Sequence, residues 1–124
     1  MVAYLEGEPG AEAVDALLRD PAAECFAHAI NLCEVYYDVL RGRGELTARA
    51  ALNDLAAAGV RERRDMEPPL WRAAGHIKAR GRISLADAFC AATANALRAD
   101  VVTSDHREFE PLAADGVCRV RFFR

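Results

Sequence analysis

Apolar positions along the chain alternate between helical and extended spacing. Ala13, Val14, Leu17 and Leu18 recur at helical intervals after Pro9-Gly10. Asp20-Pro21 then breaks the pattern, so a first helix is predicted to end near Arg19. The run from Glu24 to Ala29, with Cys25, Phe26 and His28, predicts a short strand leading into Asn31. Leu32, Val35, Tyr36, Val39 and Leu40 then form one apolar stripe, with Asn31 as its predicted cap and Arg41-Gly42-Arg43-Gly44 as its basic, glycine-marked end. Leu46 to about Ala58 predicts the next helix, with Ala50, Leu52 and Leu55 turned inward. Gly59 closes it ahead of a short strand at Val60 to Arg63. Pro68-Pro69 opens a helix holding Leu70, Trp71, Ala74 and Ile77 and running to Arg80-Gly81. The remaining pieces are a helix from Leu85 to Leu97, a strand at Val101 to Thr103, a helical piece from Glu108 to Ala113, and a terminal strand from Val117 to Phe123 with Arg119 and Arg121 on one face. Helices alternating with short strands predict an α/β domain on a small parallel sheet. The 124 residues suffice for one such domain over 1–124 and not for two.

The densest stretch is Arg82 to His106. Ser84 is a predicted N-cap, and Asp87 three residues on makes a near match to a capping box. Between Leu85 and Leu97 Asp87 is the lone charge among alanines, Phe89, Cys90, Thr93 and Asn95, which predicts a buried helix. A carboxylate on such a helix needs a partner, because burying an unpaired charge is costly. Asp105 follows the strand at Val101 to Thr103, where open α/β sheets place their ligands. Each acid also has a plain structural reading. Asp87 can serve a helix start, and Asp105 can cap the helical piece that follows it.

Composition narrows the class. Hydrophobic residues make up 52% of the chain, which argues against disorder, and no uncharged apolar run approaches a membrane span, so no membrane partner is expected. The amino-terminal residues lack the pattern of a secretory signal, and a cytoplasmic location is expected. Cys25, Cys33, Cys90 and Cys118 form no CxxC pair and no zinc-like spacing with His28, His76 or His106, so free and mostly buried thiols are expected. Charge is uneven. Residues 1–40 hold eight acids and one base, residues 41–82 ten bases and five acids, and residues 83–124 five bases and six acids. The middle stretch, with Arg61, Arg63, Arg64, Arg72, Lys78, Arg80 and Arg82, is the one suited to phosphates, or else a solvated face.

Glu34 completes the picture. With Asn31 as cap it falls in the first turn, where the helix dipole favours an acid, and Asp38 one turn on suits a polar face. Yet Glu34, Asp87 and Asp105 can all point into one crevice of such a sheet. Like charges brought together destabilise one another unless a cation lies between them. Oxygen donors select a hard divalent ion such as magnesium or manganese.

Four segments together resemble a known family. Asn31-Leu32-Cys33-Glu34-Val35-Tyr36-Tyr37, Ser84-Leu85-Ala86-Asp87-Ala88-Phe89, and Val102-Thr103-Ser104-Asp105 followed by Glu108-Phe109 have the order and spacing seen in PIN-domain proteins. The match is nearest to the VapC-type toxins of bacterial toxin–antitoxin pairs. The opening, Ala3-Tyr4-Leu5-Glu6-Gly7-Glu8-Pro9-Gly10, resembles the segment after that family's first strand. The resemblance implies a PIN-like three-layer α/β fold, a short parallel sheet flanked by helices, and a metal-dependent endoribonuclease with one or two Mg2+ or Mn2+ ions in an acidic pocket. By position it implies that Asp87 and Asp105 ligate metal, with Glu34 as a ligand or an outer carboxylate, and that Thr103 or Ser104 orients the site. Glu108 is read first as a surface-helix residue and second as an outer acid, and His106 as a rim residue. The resemblance also implies an RNA substrate, a homodimer, and a cognate antitoxin that lays a segment across the groove and can place an Arg in the acidic site. The acidic first forty residues are compatible with that partner.

One element of the family pattern is missing. Its usual opening, a strand ending in Asp followed by a small residue and Ser or Thr, has no counterpart ahead of Ala3. The first central strand is therefore expected to be truncated or absent. Asp15 and Asp20, on or after the first helix, do not replace that aspartate. The alternative function is a catalytically degenerate PIN-fold interaction module that keeps its partners and lacks turnover.

Overall fold

A computed structural model describes residues 1–124, which form two compact units, Met1–Arg63 and Arg64–Arg124. The first unit contains α1 (Val2–Glu6), α2 (Ala11–Arg19), β1 (Cys25–His28), α3 (Ala29–Arg43), α4 (Glu45–Ala57) and β2 (Val60–Arg63). Val35 and Val39 of α3 pack with Ala48, Ala51 and Leu55 of α4 as its buried core, and Tyr4, Leu5, Leu32 and Val60 close over it. Alanines at the contact face let two helices joined only by Gly44 lie side by side. The Tyr36 hydroxyl donates to Glu45 at 2.7 Å across the same joint. Gly59, at φ 102°, turns the chain from α4 into β2, a conformation that a side chain would strain.

The second unit contains α5 (Pro68–Ala79), α6 (Leu85–Leu97), β3 (Val101–Thr103), α7 (His106–Ala114) and β4 (Val120–Phe122). Leu70, Ala74 and Ile77 of α5 are buried, and α5 packs against α6. Ala86, Ala88, Phe89 and every residue from Ala91 to Ala94 of α6 are buried, as a helix apolar on nearly every side requires. Phe109 and Leu112 fix α7 to this core.

The α/β class, the short parallel pairing and the absent first central strand agree with expectation, and the strands fall into two ladders. β1 pairs with β2 in parallel from Cys25↔Val60 to His28↔Arg63, and β3 pairs with β4 in parallel from Val101↔Val120 to Thr103↔Phe122. Each pair is its own two-stranded sheet, closed by a helical crossover as parallel strands require. A continuous sheet needs strands bonded on both edges, and each of these four has one partner. No strand precedes β1; residues 2–6 are helical, and Gly7 in the left-handed region ends that turn.

Three local expectations are corrected. Asn31 does not cap α3. His28 does, its Nδ1 accepting the Ile30 N–H at 3.2 Å, so Asn31 lies inside the helix and is 7% exposed. The terminal strand shrinks to Val120–Phe122, although Arg119 and Arg121 keep one exposed face. None of the four cysteines is in a disulfide, but only Cys118 is buried and Cys33 is exposed. Burial raises the Cys118 and Cys25 thiols above their ordinary range. No helix is long and apolar enough to cross a membrane.

Candidate metal centre

Two helix starts bring the acids together. Ser84 caps α6, its hydroxyl accepting the Asp87 N–H at 3.0 Å. Asp105 caps α7, its Oδ1 accepting the Glu108 N–H at 3.0 Å. Thr103, the last residue of β3, accepts the Asp105 N–H on Oγ1 at 3.0 Å and so fixes the turn that carries this cap. Asp87, Asp105 and Glu108 each offer a carboxylate oxygen, and these atoms lie within 4.8 Å of one another.

The pattern of hydrogen bonds separates capping from a second role. In a capping box the acid three residues into the helix reaches back to the N–H of the cap residue. Here that N–H, on Ser84, donates instead to Glu108 Oε2 at 2.6 Å, from a different helix. Asp87 is thereby relieved of the reciprocal half of the box. Its Oδ2 accepts the Ser84 hydroxyl at 2.8 Å. Three carboxylates so close repel one another in the ionised form, and a cation between them converts that repulsion into attraction. The donors are all carboxylate oxygens, two half-buried and one exposed, which fits a hard divalent ion that retains some of its water.

The structure brings Asp87 and Asp105 together and adds Glu108, which in sequence reads first as a surface-helix residue. Spacing alone could not show that the N-terminus of α6 lies within reach of α7. Glu34 belongs to the other unit, half-buried on α3 between the buried Val35 and the exposed Cys33. Because α3 begins at Ala29, Glu34 falls in the second turn, and no acid occupies the first. The macrodipole fades beyond the first turn, so the structural explanation for Glu34 weakens.

His106 lies at the rim. Its ring stacks on Phe122 with centroids 4.1 Å apart, Nδ1 is 2.7 Å from Glu110 Oε1, and Nε2 is 2.8 Å from the Arg124 carbonyl oxygen. The Arg124 carbonyl first, and Glu110 second, hold its pKa above the ordinary 6.5, because a protonated ring donates to both. Raised in the folded state, this group contributes stability in full below about pH 6.5 and loses it as pH climbs through the folded value. A histidine NMR titration is expected to show a His106 midpoint above 6.5. A midpoint at or below that value would rule out the double acceptance.

With this geometry in place, comparison with known proteins assigns the family. None of the curated proteins matches the chain in sequence. Among the solved structures that share its fold are two VapBC complexes. VapBC2 from Rickettsia felis, bound to a DNA fragment from the promoter, is 16% identical with a TM-score of 0.71; DNA-bound VapBC from Salmonella typhimurium is 16% identical with a TM-score of 0.72. Each alignment covers 98% of this chain and 90% of the other. The PIN domain model matches residues 1–114, a span that takes in β1 to β3, Glu34 and all three clustered acids. The chain belongs to the PIN-domain family.

Proposed function

We propose that this chain is a metal-dependent endoribonuclease of the VapC toxin type, its two units working as one PIN domain and its activity restrained by a cognate antitoxin. The observation that carries the reading is the convergence of Asp87, Asp105 and Glu108 at the starts of two helices in a chain matched by the PIN model. In this reading Asp87 and Asp105 hold Mg2+ or Mn2+, Glu34 serves as a further ligand or outer carboxylate, and Glu108 is the fourth acid. A divalent ion bound there would lower the pKa of a water and neutralise charge on the scissile phosphodiester.

The protein's own groups do the rest. Thr103 and the α7 cap hold Asp105 in place. Arg72 and Arg82, both exposed, lie on and just after α5 and supply cationic charge for the RNA backbone. Other bases of that stretch are engaged locally. Arg61 pairs with Glu24, Arg80 with Asp115, and Lys78 donates to the Ile83 carbonyl. An open apolar groove of about 440 Å³ between α3, α4 and β2, lined by Leu32, Tyr36, Leu52, Leu55 and Val60, suits an apolar segment of the antitoxin. A cytoplasmic homodimer completes the proposal.

The test is cleavage of single-stranded RNA with Mn2+, with Mg2+, and with EDTA. Cleavage that requires either ion and disappears on chelation supports the nuclease. Metal-independent cleavage that survives both Asp87→Asn and Asp105→Asn overturns the site. Metal binding without any cleavage would instead favour the degenerate interaction module.

A further inference from the structure

Ser84 touches two of the three clustered acids and is itself neither an acid nor a metal ligand. Its hydroxyl donates to Asp87 Oδ2 at 2.8 Å while accepting the Asp87 N–H at 3.0 Å, and its backbone N–H donates to Glu108 Oε2 at 2.6 Å. A plain N-cap needs only the second of these three bonds. The other two attach carboxylates from two different helices to one residue. Glu108 in turn donates its own N–H to Asp105 Oδ1 at 3.0 Å. A continuous path of hydrogen bonds therefore runs Asp87–Ser84–Glu108–Asp105, and Ser84 joins its two halves.

We propose that Ser84 is a positioning residue for the metal centre, holding the Asp87 and Glu108 carboxylates at the separation and orientation a divalent ion requires. The inference rests on the metal-centre reading above and extends it to a residue outside the ligand set. An Asp side chain has two torsions, and repulsion from its acidic neighbours favours rotation of the carboxylate away from them. The Ser84 hydroxyl anchors one Asp87 oxygen against that turn. The amide N–H does the same for Glu108, whose longer side chain has one more torsion to fix. Both bonds are charge-assisted, the stronger kind of hydrogen bond, and they are formed before any ion arrives. Partners of this kind that orient a ligating group typically govern affinity by about 10–100-fold.

Helix capping and carboxylate positioning can be separated by choice of substituent. Glycine is nearly as good an N-cap as serine, yet it has no hydroxyl for Asp87. Threonine keeps both the cap and the hydroxyl. The full chain and its Ser84→Gly and Ser84→Thr variants are titrated with Mn2+, following free Mn2+ by electron paramagnetic resonance, and melted separately in EDTA. The proposal expects Ser84→Gly to melt close to the parent yet bind Mn2+ about 10–100-fold more weakly, with Ser84→Thr restoring parental affinity. Parental affinity in Ser84→Gly overturns the positioning role and leaves the metal centre standing. Failure of the parent protein to bind Mn2+ overturns the metal centre, and this inference with it. If Ser84→Gly does not fold, Ser84→Asn answers the same question. Asparagine caps as well as serine, but its capping oxygen carries no proton to donate to Asp87 in the way the serine hydroxyl does, so the same loss is expected and parental affinity again overturns the role.

Discussion

Asp105→Asn is expected to reduce metal-dependent RNA cleavage by two orders of magnitude or more while leaving the melting temperature in EDTA at or above that of the parent. The two halves of this result have separate causes. Asparagine caps a helix as well as aspartate does, so the bond from the Glu108 N–H to Oδ1, at 3.0 Å, survives the change. The charge does not survive. In the metal-free protein its loss relieves repulsion among three carboxylates whose oxygens lie within 4.8 Å of one another. If Asp105 holds the metal as proposed, the change also removes an anionic ligand from the metal-loaded protein, which costs more than the roughly 10–100-fold typical of an outer partner. Cleavage assays under excess Mn2+, paired with thermal melts in EDTA, separate the two effects. A variant that cleaves at the parental rate would remove Asp105 from the chemistry. One that melts well below the parent would mean that the carboxylate serves the fold.

Capping chemistry also explains what could and could not be read from the sequence. Helix α6 was legible because alanines fill nearly every face and the Ser84 cap belongs to a preferred residue type. Asp87 stood out as the one charge on that helix, and Asp105 by its place after a strand. The start of α3 was misread because the chain offers Asn31, a favoured cap, three residues after His28, and the structure uses the histidine. That choice depends on where β1 delivers the chain, which local propensity does not encode. The misreading also placed Glu34 in a first turn and so made it look like a dipole-serving acid. Glu108 was undervalued for a different reason. In sequence it is an acid on a short helix, and only the packing of α7 beside the start of α6 gives it the Ser84 N–H. The five residues of α1 were too few to establish a period, and Gly7 closes them at once. Strand partners were likewise beyond reach. Three- and four-residue strands predict parallel pairing through their helical crossovers, but not which strand pairs with which.

Phe109→Ala is expected to cost about 3–5 kcal/mol of stability, the range for truncating a fully buried phenylalanine. At 1% exposed, Phe109 is among the most deeply buried large side chains of the protein. With Leu112 it is the buried face of α7, the crossover that lets β3 and β4 pair in parallel. A cavity there would not be filled cheaply, because α7 packs against β4, a strand only three residues long. Set against the 5–15 kcal/mol of a typical domain, the loss takes a large share of the total. Urea denaturation would read it as a lowered midpoint with an unchanged slope. The same substitution reaches the acidic cluster. The Phe109 N–H donates to the carbonyl of the cap residue Asp105 at 3.2 Å, and Glu108 immediately precedes it on α7. Mn2+ affinity should therefore fall at urea concentrations well below the unfolding midpoint, because the ligands lose their footing before the chain unfolds. A cost under about 1 kcal/mol, far below the usual range, would mean that α7 is not anchored through Phe109. Undiminished Mn2+ affinity in a strongly destabilised variant would mean that the carboxylates are held in place by the Ser84 bonds rather than by the packing beneath α7.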